Sequence, residues 1–74
     1  MPRKKRPRTA RDRVAANLAA LRTAAGLSQA AAAERAGLRQ ATWSDAETAR
    51  KLPSLETLDA MAAALGVDVA ELLR

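Results

Sequence analysis

Larger apolar side chains recur along the chain at the three- and four-residue spacing of helix faces. Val14, Leu18 and Leu21, with Ala25, hold i, i+4, i+7 and i+11 positions and predict a first helix over residues 10–25. Thr9 followed by Asp12 supplies a variant capping box at its start, and Gly26 a left-handed stop. Ser28 caps a short second helix over 29–36, which Gly37 ends. A third helix runs over 40–48, with Trp43 and Ala46 three apart on one face. Residues 49–53 read as a loop. Pro53 and Ser54 open a fourth helix whose buried stripe is Leu55, Leu58, Met61, Ala62 and Leu65, closed by Gly66. Asp68 and Glu71 start a brief fifth helix carrying Val69, Leu72 and Leu73. The expected fold is all-α, five short helices joined by tight turns.

Composition strengthens this picture. Of the 74 residues, 20 are Ala, the best helix former, and Trp43 is the single aromatic. The length leads us to expect one small domain and no second one. Cys, His, Tyr and Phe are absent, which excludes a zinc-type site, a thiol nucleophile, an imidazole base and a disulfide framework. The carboxylates form no evident pair, and Ser28, Ser44 and Ser54 have cap or helix-surface explanations. No enzyme and no cofactor is expected. The longest uncharged run, residues 23–33, is too short and too polar to span a bilayer, so no membrane partner is expected and the location is read as cytoplasmic.

Charge divides the chain in two. Residues 1–13 carry a net +6, from Arg3, Lys4, Lys5, Arg6, Arg8, Arg11 and Arg13 against Asp12, whereas residues 14–74 carry −1. Residues 1–9 are therefore read as a disordered basic arm and 10–74 as the domain. Pro2 and Pro7 keep the arm out of a helix. Three readings of it stand open: a solvated tail, a polyphosphate-seeking arm adding salt-sensitive affinity for DNA, or an import signal.

The sequence resembles a known family at Leu18-x-x-Leu21-Arg22, Gly26-Leu27-Ser28-Gln29, Ala33-Glu34-Arg35-Ala36-Gly37-Leu38, Thr42, Glu47, Pro53-Ser54-Leu55-Glu56-Thr57-Leu58, Leu65-Gly66-Val67 and Leu72-Leu73. These residues, spread over 12–73 in register and without a gap, look like the Cro/C1-type helix-turn-helix domain of the xenobiotic-response-element (XRE) family of bacterial and phage regulators. The resemblance implies a lambda-repressor-like domain whose third helix enters the major groove of double-stranded DNA. By similarity Gln29 binds a phosphate; Gln40, Ala41 and Asp45 face bases; Thr42 and Ser44 reach phosphate or a base edge; and Arg50 and Lys51 grip the backbone. Arg22 and Glu47 match an ion pair that fixes the third helix. Each DNA role has a plainer counterpart: Gln29 and Gln40 as solvated first-turn residues, Arg50 and Lys51 as loop cations. Asp45 has three open readings, namely cytosine recognition, local pairing with Arg39, Arg50 or the arm, and no role.

Five positions depart from the family pattern. Arg39 stands where a Ser or Thr cap is usual, which forfeits about 1 kcal/mol but offers a cation to phosphate. Ala32 and Ala46 replace larger core residues, and Trp43, in place of an Ile-like one, is expected to be buried and to fill the space they leave. Ala49 replaces a Gly and is expected to lengthen the third helix. The resemblance implies a sequence-specific transcription regulator, expected to be a repressor binding a palindromic operator as a homodimer through Val69, Leu72 and Leu73. The alternative use of those three is to close the monomer core. The rival function is an antitoxin or other protein-interaction module with a toxin as partner.

Overall fold

The structure, a computed structural model, describes residues 9–74. The expected arm residues Arg3, Lys4, Lys5, Arg6 and Arg8 lie outside that range. Four α-helices follow in order: α1 Ala10–Ala24, α2 Gln29–Ala36, α3 Gln40–Glu47 and α4 Leu55–Leu65. The fifth element, Val69–Leu72, is a 3-10 helix rather than an α-helix. A run of four residues suits that tighter winding.

Local chemistry sets these boundaries. Oγ1 of Thr9 accepts from the Asp12 N–H at 3.2 Å and donates to the Asp12 carboxylate at 3.1 Å. The acid of the expected capping box thus returns to the hydroxyl. Ser28 accepts from the Ala31 N–H at 3.0 Å, Ser54 from the Thr57 N–H at 3.2 Å, and Asp68 from the Ala70 N–H at 2.8 Å. Arg39 alone of the N-caps makes no side-chain cap bond. At the α2–α3 turn Gly37 adopts φ 71°, a left-handed conformation costly for a residue with a Cβ. That lets the Gly37 N–H reach the Glu34 carbonyl at 3.0 Å and the Leu38 N–H reach that of Ala33 at 2.9 Å.

One core joins all five elements: Val14 and Leu18 from α1, Ala32 and Ala33 from α2, Trp43 and Ala46 from α3, Leu58, Met61 and Ala62 from α4, and Leu72. Trp43 is fully buried in the same cluster as Ala32 and Ala46, as expected of an indole that offsets two small neighbours. α2 packs on α3 and α4, and α1 on α3 and the 3-10 helix. Asn17 of α1 fastens the C-terminal end, donating to the carbonyls of Leu72 at 3.0 Å and Arg74 at 3.4 Å.

Three expectations are corrected here. Leu55 is 72% exposed. It opens α4, where the helical stripe has not yet come against a neighbour. Ala25 is exposed as well, one residue beyond the end of α1. Ala49 does not extend α3; it takes φ 60° and turns the chain instead.

Candidate functional site

The expected ion pair is the anchor of the site. Glu47, on the last turn of α3, has a side chain only 6% exposed, and Arg22 of α1 one 19% exposed. Arg22 Nε donates to Glu47 Oε2 at 2.5 Å and Nη2 to Oε1 at 3.0 Å, a two-pronged contact. A third Arg22 donor, Nη1, reaches the Leu27 carbonyl in the α1–α2 turn at 2.8 Å. Glu47 also accepts from Gln29 Nε2 at 3.0 Å and from the indole Nε1 of Trp43 at 2.6 Å. One carboxylate thereby ties together α1, the first residue of α2, and α3.

The electrostatics follow from this geometry. Burial pushes the Glu47 carboxyl up, but hydrogen bonds from Arg22, Trp43 and Gln29, with the Arg22 charge, outweigh it and hold Glu47 below its ordinary range. The hydrogen bond to Glu47 raises Arg22 in turn. Both groups stay ionised at neutral pH. The Trp43 bond was not foreseen, although two signals pointed to it: a buried indole N–H needs an acceptor, and Glu47 lies four residues on, one turn along the same helix face.

At the other end of α3, Arg39, Gln40, Ala41 and Thr42 are exposed. Ser44 and Asp45 are half-buried, and Arg50 and Lys51 are exposed in the following loop. Asp45, Thr42 and Lys51 line one small cavity of about 160 Å³ with Leu52 and Pro53. Local pairing, one of the three readings open for Asp45, is not formed with Arg39 or Arg50: among the described residues its carboxylate makes no ion pair, and arm residues 1–8 lie outside that range. Its backbone carbonyl is heavily used, accepting from the N–H groups of Arg50 at 2.9 Å and Lys51 at 3.4 Å. Gln29 is half-buried and bonded to Glu47, so it is more than a solvated first-turn residue.

The C-terminal apolar residues part company. Leu72 is fully buried within the single chain, which corrects its expected place at a dimer contact. It closes the monomer core. Val69 packs partly against that core, and Leu73 is 39% exposed. Among the described residues no group of His, Cys, Asp or Glu is placed to hold a metal ion, and no helix is long and apolar enough to cross a membrane.

Comparison with known proteins agrees with this architecture. The sequence profile of the helix-turn-helix domain matches residues 13–74. A crystal structure of a hypothetical transcription factor, NHTF, from Neisseria is 32% identical, with a TM-score of 0.89, over 100% of this chain and 86% of that one. The restriction-modification controller protein C.AhdI from Aeromonas hydrophila is 33% identical, with a TM-score of 0.78, over 81% and 91% of the respective chains. The clp gene regulator ClgR from Corynebacterium glutamicum is 30% identical, with a TM-score of 0.82, over 89% and 86%. No curated protein matches the chain.

Proposed function

The chain belongs to the helix-turn-helix family of XRE-type DNA-binding transcription regulators, and from that premise we propose that it is a repressor that binds a palindromic operator as a homodimer. The observation that carries this reading is the state of α3: its first residues are exposed while its last turn is clamped by Glu47. In this reading α3 lies in the major groove. Gln40 pairs with an adenine edge, and Ala41, Thr42, Ser44 and Asp45 face the groove. Arg39, Arg50 and Lys51 hold phosphates, and Gln29 offers a phosphate the amide hydrogen that Glu47 does not take. Arg3, Lys4, Lys5, Arg6 and Arg8 add sequence-independent attraction.

One recognition helix reads only a few base pairs, so two copies on half-sites about 34 Å apart suit the task. Leu73 and the uncovered part of Val69 are the surface for that pairing. Selection of bound sequences from random duplex DNA tests the whole reading. The expected product is an inverted repeat; a single half-site or no enriched sequence refutes it. Deleting residues 1–8 should flatten the salt dependence of binding while the selected site stays the same.

A second reading is a protein-interaction module such as an antitoxin. The exposed Leu52 and Leu55, close together in sequence, and the Asp45 carboxylate, without an ion pair among the described residues, favour it. A stoichiometric second protein co-purifying from the native host, together with no sequence preference in the selection, would establish that reading in place of the first.

A further inference from the structure

All four α-helices end in the same pair of backbone hydrogen bonds. After α1, α2 and α4 the left-handed residue is a glycine, and the residue that follows it, Leu27, Leu38 or Val67, packs against the core. After α3 the left-handed residue is Ala49, at φ 60°, and the next is the exposed Arg50. Ala49 N–H reaches the Ala46 carbonyl at 3.3 Å and Arg50 N–H that of Asp45 at 2.9 Å. Among the described residues, Ala49 is the single non-glycine with positive φ.

This turn has no apolar anchor, so its shape rests on the backbone. The Asp45 carbonyl gathers the N–H groups of Arg50 and Lys51 and, at 3.3 Å, the Thr48 hydroxyl, which also donates to the Ser44 carbonyl at 2.9 Å. An alanine methyl narrows the conformations open to such a turn, whereas glycine widens them. Strain held at one position by surrounding bonds points to a demand on that position. The geometry points to Ala49 as a positioning residue. It holds the backbone of Arg50 and Lys51 at a fixed offset from the exposed face of α3, so that the two cations meet DNA phosphates with little left to order.

This inference rests on the proposed DNA binding, and the test separates the two. The 74-residue wild type, Ala49→Gly, Ala49→Asn and Arg50→Ala/Lys51→Ala are titrated against one selected duplex at several salt concentrations and melted without DNA. Ala49→Gly should melt a few degrees higher, because the strain is relieved. It should nevertheless bind about three- to tenfold more weakly, because a looser loop must be ordered. Its salt slope should stay at the wild-type value, since the same phosphates are contacted, whereas the double variant should show a shallower one. Asn tolerates the left-handed region yet is stiffer than Gly, so Ala49→Asn should melt high and bind close to wild type. Wild-type affinity in Ala49→Gly, an equal loss in the Gly and Asn variants, or a lower melting temperature in Ala49→Gly would each overturn the assignment. A wild type that binds no duplex at low salt fails the DNA-binding reading itself, and the inference goes with it.

Discussion

At its C-terminal end α3 is held by a carboxylate that accepts four hydrogen bonds from Arg22, Gln29 and Trp43. At its N-terminal end, about 12 Å away along the axis, Gln40, Ala41 and Thr42 are exposed and no side chain caps the first N–H groups. The same helix is thus closed where it meets the domain and open where it meets solvent. A helix of eight residues is marginal on its own. Its support comes from the closed end and from the buried Trp43, which leaves the sequence of the open end free for the DNA recognition proposed above.

Breaking the closed end should have the largest effect. Glu47→Ala leaves Arg22 without its counter-charge and the buried Trp43 N–H without an acceptor. Losing one partner of a fully buried ion pair costs about 3–5 kcal/mol, and this pair, with the Arg22 side chain 19% exposed, lies at the lower end of that range. Native domains hold only about 5–15 kcal/mol in total, so chemical denaturation followed by circular dichroism should find the unfolding midpoint of the variant sharply lowered. Protonation of Glu47 acts in the same direction more gently. The Glu47 carboxyl sits lower in the folded chain than in the unfolded one, so the unfolded chain binds the proton more readily as pH falls. The contribution of Glu47 is complete above the ordinary carboxylate range and fades as pH drops through the lower folded value. Glu47→Gln should therefore be less stable than wild type at pH 7, with the gap closing in acid. A constant gap would show that ionisation of Glu47 carries none of it.

Trp43→Phe dissects the clamp one bond at a time. It keeps most of the ring volume and removes the hydrogen bond to Glu47, for an expected cost of about 1–3 kcal/mol. Trp43→Ala should cost about 3–5 kcal/mol, because a cavity is added to the lost bond. Equal losses in the two variants would mean that the hydrogen bond, not the filling of space beside Ala32 and Ala46, is what the indole supplies.

The contrast between the two ends also explains how far the sequence could be read. Caps at Thr9, Ser28, Ser54 and Asp68 are local chemistry, decided within two or three residues, and they appear where the residue types place them. The same holds for Gly37, and for the missing cap at Arg39. Leu55 was misplaced because a periodic stripe says which residues share a face, not where along the helix that face finds a neighbour. Leu72 and Leu73 are adjacent, and only the packing of the 3-10 helix on α1 and α4 decides which of them is covered. Alanine is the strongest helix former, so Ala49 in a left-handed turn runs against its own propensity. The bonds converging on the Asp45 carbonyl hold it there.

Restoring a cap sharpens the comparison from the open side. Arg39→Ser should add about 1 kcal/mol of stability by satisfying an N–H of the first turn of α3. In the DNA-binding reading it should also weaken binding and lower the salt slope by about one unit, because a phosphate contact is lost. Greater stability with unchanged binding would assign Arg39 to neither role.

The smallest effect is expected at Asp45, which separates the open face from the turn that follows it. Its side chain makes no ion pair among the described residues, so Asp45→Ala should leave stability within about 0.5 kcal/mol of wild type. A carboxylate beside a groove repels phosphates, so its removal should tighten binding to random duplex DNA by a few-fold. Binding to the selected site then discriminates between its roles. If Asp45 accepts a hydrogen bond from a cytosine amino group, affinity for that site falls and the preference at one base pair relaxes. If the carboxylate only repels phosphates, affinity rises equally on selected and random DNA. Titrations that superimpose on wild type for both duplexes would take Asp45 out of the recognition face and leave its backbone carbonyl, the acceptor for Arg50 and Lys51, as its whole contribution.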